Sequence, residues 1–269
     1  MQEIITGVAG ILAITALRYF VVAGAAFIIF YKFFSNHFAS SKIQKRHAGN
    51  HDFIQEMMHS LVSVLVFSLI GFIVLYTPLS NYTLVYKHLN KYPAWWLFLS
   101  VPVSLIVHDT YFYWMHRLLH HKKVFRYAHL VHHKSTNPSP WAAYSFHVFE
   151  SVVEGGVLVV LAFIMPMHPI AVALFILAGF VINVYGHLGY EIMPKWLRQS
   201  FLFQVINTSV HHNLHHSKFK GNYGLYFRLW DRLLKTEHPD YVKEYDRIQQ
   251  QRFGKPQQSH ANASENIAA

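Results

Sequence analysis

Cysteine is absent from all 269 residues, which excludes disulfides, thiolate zinc sites, iron–sulfur clusters and a cysteine nucleophile. Charge is scarce too. Asp, Glu, Lys and Arg make up 13% of the chain, about half the share usual in a soluble globular protein. No glycine-rich dinucleotide fingerprint and no fused cytochrome module can be found. What replaces charge is apolar surface: 53% of residues are hydrophobic, with 22 Phe, 16 Tyr and 6 Trp. Lipid is therefore expected to be part of the solvent. The net charge of +10 would suit nucleic acid, but the basic residues flank apolar runs, as membrane topology requires. No nucleic-acid partner is expected.

A helix needs about 20 mostly apolar residues to cross roughly 30 Å of hydrocarbon. Five stretches approach that requirement: about Ile4–Phe34, interrupted only by Arg18; Ser60–Tyr76; Ala94–Trp114; Val148–Met165; and Pro169–Tyr185. The last two are joined by Pro166-Met167-His168, a link short enough for an antiparallel hairpin. Lys32, Lys42, Lys45 and Arg46 follow the first stretch. Arg117, Lys122, Lys123, Arg126 and Lys134 follow the third, and the tail after the fifth is also basic. The other side offers only Lys87 and Lys91. The positive-inside rule then puts the N-terminus outside and every basic segment in the cytoplasm. The expectation is an all-α, multi-pass integral-membrane bundle of about 4–5 spans under a cytoplasmic, histidine-rich helical cap. Residues 1–92 would be an anchor, in which Arg18 carries no readable chemistry. Residues 93–240 would be catalytic. Residues 241–269 would form a polar, disordered tail, most clearly Pro256–Ala269, which has no aromatic residue.

Histidine is the outlier. Of 21, six lie within His116–His133 and four within His211–His216. They form His116-Arg-Leu-Leu-His120, His129-Leu-Val-His132-His133 and His212-Asn-Leu-His215-His216. Residues three and four apart share a helix face, so two imidazoles can converge on one ion, and an H-x-x-H-H run can divide its histidines between two. Eight imidazoles exceed what one metal binds. Two metals are the economical inference, although imidazole suits zinc, copper, iron and nickel alike. His187, in Tyr-Gly-His-Leu-Gly at the end of the last span, is a further candidate, whereas His121 and His211 are weaker ones. His37, His47, His51, His59, His88, His168, His238 and His260 read as interfacial. Polar groups deep in a span are costly and functional, so His108 and Asp109 are expected near the site. Asp109 would hold an imidazole in its tautomer from behind, and Glu150, Glu154 and Glu191 are candidates for the same role.

The run from Asp109 through His116 and His120, followed by His129-Leu-Val-His132-His133-Lys-Ser-Thr-Asn-Pro, resembles the fatty acid hydroxylase/sterol desaturase superfamily. So do Trp141-Ala-Ala-Tyr-Ser-Phe-His147, Gly186-His187-Leu-Gly-Tyr and His212-Asn-Leu-His215-His216 with its downstream Asn222-Tyr-Gly and Trp230-Asp231-Arg. The likeness covers roughly residues 95–236. It implies two iron ions as cofactor and O₂ as co-substrate. It implies His116, His120, His129, His132, His133, His187, His212, His215 and His216 as ligands, and hydroxylation, desaturation or ether cleavage of a sterol or fatty-acyl lipid. His147 precedes valine where many relatives have proline, which makes it a weak ligand. Glu191 stands where some fatty acid hydroxylases have a second histidine, which leans towards the sterol-desaturase-like branch. A separate electron donor, whether ferredoxin, cytochrome or reductase, would be needed, and the basic face suits an acidic one. The rival expectation is a membrane protein that binds or transports metal without oxygenase activity. A haem protein, needing only one or two axial histidines, would leave the duplicated H-x-x-H-H unexplained.

Overall fold

The computed structural model describes residues 2–254. Ten α-helices account for most of them: α1 Gln2–Phe27, α2 Asn50–Tyr76, α3 Ala94–Leu119, α4 Phe125–Ala128, α5 Leu130–His133, α6 Val148–Ile164, α7 Pro169–Gly186, α8 Ser209–Lys218, α9 Leu229–Leu233 and α10 Tyr241–Phe253. Among the described residues there are no β-strands, only isolated bridges between Lys42 and Tyr190 and between Ile206 and Phe227. A π-helical turn, Ile28–Phe33, extends α1.

Among the described residues, three helical segments are long and apolar enough to cross a membrane: Ile5–Phe33, Asn50–Tyr76 and Pro169–Gly186. Their outward faces are inverted relative to a soluble bundle, with Ile14 and Leu17 on α1, Leu65 and Leu69 on α2, and Leu174, Leu177 and Val181 on α7 all exposed. Such a contiguous apolar surface is a liability in water and ordinary in lipid. The other two expected spans exist as helices but fall short of that standard. α6 has only 17 residues and two glutamates, and α3 continues past its apolar part into His116 and Arg117. α2 begins ten residues before the expected span, at Asn50. There the Gly49 amide donates to the Asp52 carboxylate at 2.9 Å and satisfies one of the helix-start amides.

α2 packs on both α1 and α6, and α3 packs on α6 and α7. α6 and α7 form the expected hairpin. His168 caps α7 by accepting the Ile170 amide, and Pro169 occupies the first helical position, where its missing N–H costs nothing. Between α5 and α6 a 3-10 turn, Pro140–Tyr144, is stitched to the first two helices. The Tyr19 hydroxyl (3.0 Å) and the Ser60 hydroxyl (2.9 Å) both donate to the Trp141 carbonyl, while Ser139 donates to buried Glu56 of α2.

The cap sits where α3 and α7 end and α2 and α6 begin. It has its own core, in which Leu197, Phe203, Val210 and Leu214 pack on Tyr241, Tyr245 and Ile248 of α10. This corrects the expectation of a disordered tail from residue 241. Tyr241, Tyr245 and Ile248 recur at i, i+4 and i+7 and form an apolar stripe within a charged sequence whose average polarity conceals it. Pro256–Ala269 and His260 lie outside the described residues.

Candidate metal centre

Each histidine motif sits on a helix end or in a short helix. His116 and His120 close α3, His129 precedes α5 and His132 and His133 lie in it, His212–His216 lie in α8, and His187 caps the C-terminus of α7. These four origins converge on two adjacent groups. One contains His116, His120, His129, His133 and His215, and the other contains His132, His187, His212 and His216. Within each group the candidate ligand atoms all lie within 4.8 Å of one another. The groups abut, with the ring centroids of His133 and His216 5.1 Å apart.

The division follows from helical geometry. Each H-x-x-H-H run turns its i, i+4 pair (His129 with His133, His212 with His216) towards one group. The middle histidine, 100° further round, points to the other group. His132 therefore belongs with His212 and His216, and His215 with His129 and His133. All nine histidines singled out from the sequence are brought together. His121 is exposed and accepts the Lys123 amide. His211 is buried against Tyr241 with neither ring nitrogen partnered, and His147 caps α6 by accepting the Phe149 amide. None of these three joins a group.

Hydrogen bonding behind the rings decides their tautomers. Nδ1 of His116 meets the Tyr223 carbonyl at 2.9 Å, that of His187 the Asn183 carbonyl at 2.8 Å, and that of His215 the Gly221 carbonyl at 2.7 Å. Nδ1 of His216 meets the Ser135 carbonyl at 2.9 Å and that of His132 the Ser145 carbonyl at 3.3 Å. A carbonyl oxygen only accepts, so each Nδ1 carries the proton and each Nε2 presents a bare lone pair. Yet the Nε2 atoms face one another. His120, His133 and His215 form a triangle of 3.1 Å sides. In the second group His187 lies 3.0 Å from His212 and 3.2 Å from His216, which is itself 3.1 Å from His212. His187 and His216, both fixed in that tautomer, lie 3.2 Å apart Nε2 to Nε2, so their lone pairs repel and a cation between them makes the arrangement favourable. The residues thus fit a metal. Two nitrogens each about 2.1 Å from an ion are about 3.0 Å apart at a right angle and about 3.4 Å apart at the tetrahedral angle, so these spacings mostly match the former.

The rings are also held neutral. Burial pushes His187 and His215 down to about 4. Burial, followed by repulsion from neighbouring imidazoles, holds His129, His132, His133, His212 and His216 well below the ordinary imidazole value. Neutral imidazole is the form that binds metal.

Of the candidate carboxylates, Asp109 and Glu191 depart from expectation and Glu150 meets it. Asp109 touches no imidazole. Its Oδ1 accepts the backbone amides of Leu225, Tyr226 and Phe227 at 3.2, 2.7 and 3.1 Å, anchoring the loop whose Tyr223 and Gly221 carbonyls orient His116 and His215. Asp231 braces the same loop through the Tyr223 and Gly224 amides at 2.9 and 2.7 Å, a role its sequence context did not disclose. Gly221 is required in that loop, since its φ is +79° and a Cβ would strike the Thr236 carbonyl. Glu191 accepts from the Tyr185 hydroxyl and the Met193 and Val210 amides, so it secures the start of α8 and reaches no ring. His108 bonds the Tyr226 hydroxyl at 2.9 Å. The carboxylate that does back an imidazole is Glu150, 2.6 Å from Nδ1 of His129, both groups being 1% exposed.

A cavity of about 310 Å³ runs between the helices towards this centre. Phe112 and Phe146 line it, and behind them lie one ring of each histidine group. Phe112 is 4.9 Å from His116 and Phe146 is 5.0 Å from His132, centroid to centroid.

The fatty acid hydroxylase family model matches residues 101–236. The chain belongs to the fatty acid hydroxylase family. Every histidine of both groups falls inside the matched segment. Curated relatives of this family member include a Delta(7)-sterol 5(6)-desaturase of Gibberella zeae, 30% identical over 173 residues, which are 64% of this chain and 52% of that protein. The lathosterol oxidase of Mus musculus is 34% identical over 158 residues, 58% of this chain and 51% of that protein. That of Homo sapiens is 33% identical over 156 residues, 57% and 50% respectively. The chain thus spans about half the length of the curated relatives it matches. No solved structure matches it.

Proposed function

We propose that this chain is a membrane-bound, O₂-dependent di-iron oxygenase that hydroxylates or desaturates a C–H bond of a sterol-like or fatty-acyl lipid. The observation that carries the proposal is the meeting of an apolar cavity, through Phe112 and Phe146, with two adjoining sets of unprotonated imidazole lone pairs. Iron is preferred over zinc because a five-imidazole group exceeds the four ligands of structural zinc, and the near-right-angle spacings favour higher coordination. Desaturation of a sterol is what the printed names of its relatives describe, and it comes to this chain as part of the proposal.

His116, His120, His129, His133 and His215 would hold one ion, and His132, His187, His212 and His216 the other. Bound there, the pair would supply reductive activation of O₂. The chain's own residues do the rest. The carbonyls of Tyr223, Gly221, Ser135, Asn183 and Ser145 keep the Nδ1 protons on the outer edges of the rings. Glu150 accepts the Nδ1 proton of His129 and raises its basicity. The cavity wall seats the lipid and excludes bulk water, so that a hydrogen of the chosen carbon faces the gap between Phe112 and Phe146. Electrons come from a separate donor on the cytoplasmic side, where the basic segments lie.

The rival reading, metal transport, would place ion ligands near the bilayer midplane. Here they gather at the end of the bundle, beneath a cavity with an apolar lining. The test is direct: purified protein should bind iron at a stoichiometry set by the two imidazole groups, about two per chain, and consume O₂ only with lipid and a reductant. Zinc flux into vesicles without O₂ consumption would reverse the conclusion.

A further inference from the structure

Sequence reasoning gives Arg18 no task beyond anchoring, and a guanidinium inside a membrane span is costly enough to call for one. Arg18 lines the same cavity that Phe112 and Phe146 close. Its Nε is buried without a hydrogen-bond partner. No carboxylate forms an ion pair with it among the described residues, and its polar neighbour is the neutral Tyr144 hydroxyl. Of the other polar groups of the wall, Glu154 is a buried carboxyl that makes no ion pair with Arg18, and others are engaged elsewhere. Asn183 donates to the Ala143 carbonyl, and Tyr226 and His108 bond each other. The walls beside Arg18 are apolar, including Ile14, Phe67 and Phe180.

A half-buried cation whose Nε has no partner, in a mostly apolar chamber, is complementary to one kind of occupant: an otherwise hydrocarbon molecule ending in an oxygen acceptor. We propose that Arg18 is the residue that binds the oxygen-bearing end of the lipid, and so sets which carbon is presented to the histidine centre. It is a positioning and specificity-determining group, not a catalytic one. The inference rests on the lipid-oxygenase reading for the kind of molecule that fills the cavity, and is tested without turnover. Both a hydroxyl and a carboxylate are oxygen acceptors, and the probes below distinguish them.

The experiment measures equilibrium binding to the full chain in lipid nanodiscs of two matched pairs, cholestanol with cholestane and stearate with octadecane. A charge-assisted hydrogen bond in a dry site is expected to give the oxygenated member of one pair an advantage of about ten-fold or more. Arg18→Met should abolish that advantage, leave the affinity for the bare hydrocarbon unchanged, and leave the melting temperature equal or higher, since a costly unpaired cation has been removed. The pair that shows the advantage identifies hydroxyl or carboxylate. Should Arg18→Met fail to fold, Arg18→Gln carries the same comparison, with the advantage falling several-fold. An advantage absent in the wild type for both pairs, or undiminished in the folded variant, overturns the proposal. Iron content and O₂ consumption of the same wild-type preparation are recorded separately. Their absence would sink the oxygenase reading and leave the binding result standing.

Discussion

The split of the two H-x-x-H-H runs allows neighbouring histidines to be told apart. His132 and His133 are adjacent in sequence, equally buried, and 5.8 Å apart by ring centroid, yet they belong to groups of four and five imidazoles. Replacing His132 with Ala leaves three imidazoles in its group, and replacing His133 leaves four in the other. Loss of a residue that merely supports a ligand costs about 10- to 100-fold in metal affinity, and loss of a ligand costs at least that. The group reduced to three should therefore empty during purification, whereas a four-imidazole group still meets the coordination of an ordinary zinc-type site. Iron per chain, measured by plasma mass spectrometry on protein extracted from membranes, should fall from about two to about one in His132→Ala and stay near two in His133→Ala. His187→Ala and His212→Ala should behave as His132→Ala does, since they share its group. Activity should vanish in His132→Ala, and likewise in His215→Ala, with membrane insertion unchanged. Equal iron loss in His132→Ala and His133→Ala, or retained turnover in His132→Ala, would refute the division of the runs between two ions.

Glu150→Gln should retain the fold but lower iron affinity by about 10- to 100-fold, read as faster iron loss to a chelator, because the amide is a weaker acceptor for the Nδ1 proton of His129. Asp109→Asn removes the charged acceptor of three backbone amides. It should lower stability by roughly 1–3 kcal/mol and reduce iron content without touching a ligand, a coupling visible by comparing melting temperature and metal analysis. Metal-free protein should lose stability as pH falls from about 6.5 towards about 4, because His187 and His215 bind protons less readily folded than unfolded. That stability is complete above the unfolded value, and the loss is about 3 kcal/mol for each ring by pH 4. Thermal melts of apoprotein that are flat across this window would contradict it.

The helices that carry chemistry were legible because hydrophobic runs and i, i+4 histidines are local signals. α7, the α6–α7 hairpin and all nine converging histidines could be named from spacing and resemblance. What escaped was the packing behind the rings. Asp109 looked like an imidazole partner because a carboxylate two turns before His116 shares its helix. Only the fold reveals that the 225–227 amides occupy that carboxylate, and that among the candidate glutamates Glu150, 21 residues from His129, supplies the contact. The oxygens that determine five of the tautomers are backbone carbonyls, which leave no residue type to notice. α10 was hidden for the opposite reason, since its apolar stripe of Tyr241, Tyr245 and Ile248 is diluted by charge.

The same contrast bears on Arg18 and the first two helices. Read along the chain, they are anchors with one stray cation. Folded, α1 and α2 supply much of the cavity wall, and the Trp141 carbonyl that accepts from Tyr19 and Ser60 lies four residues before the Ser145 carbonyl that orients His132. In the proposed reading, the segment that would seat the lipid is therefore tied through one short turn to the ring that would face its reactive end. A shift of α1 would move both the position of the lipid and the aim of His132, so the anchor and the centre form one device. Substitutions that loosen this seam, such as Ser60→Ala with Tyr19→Phe, should alter which carbon is oxidised before they reduce how fast. Product analysis by mass spectrometry would show a mixture of positional isomers where the intact chain gives one, and an unchanged single product at a reduced rate would count against the coupling.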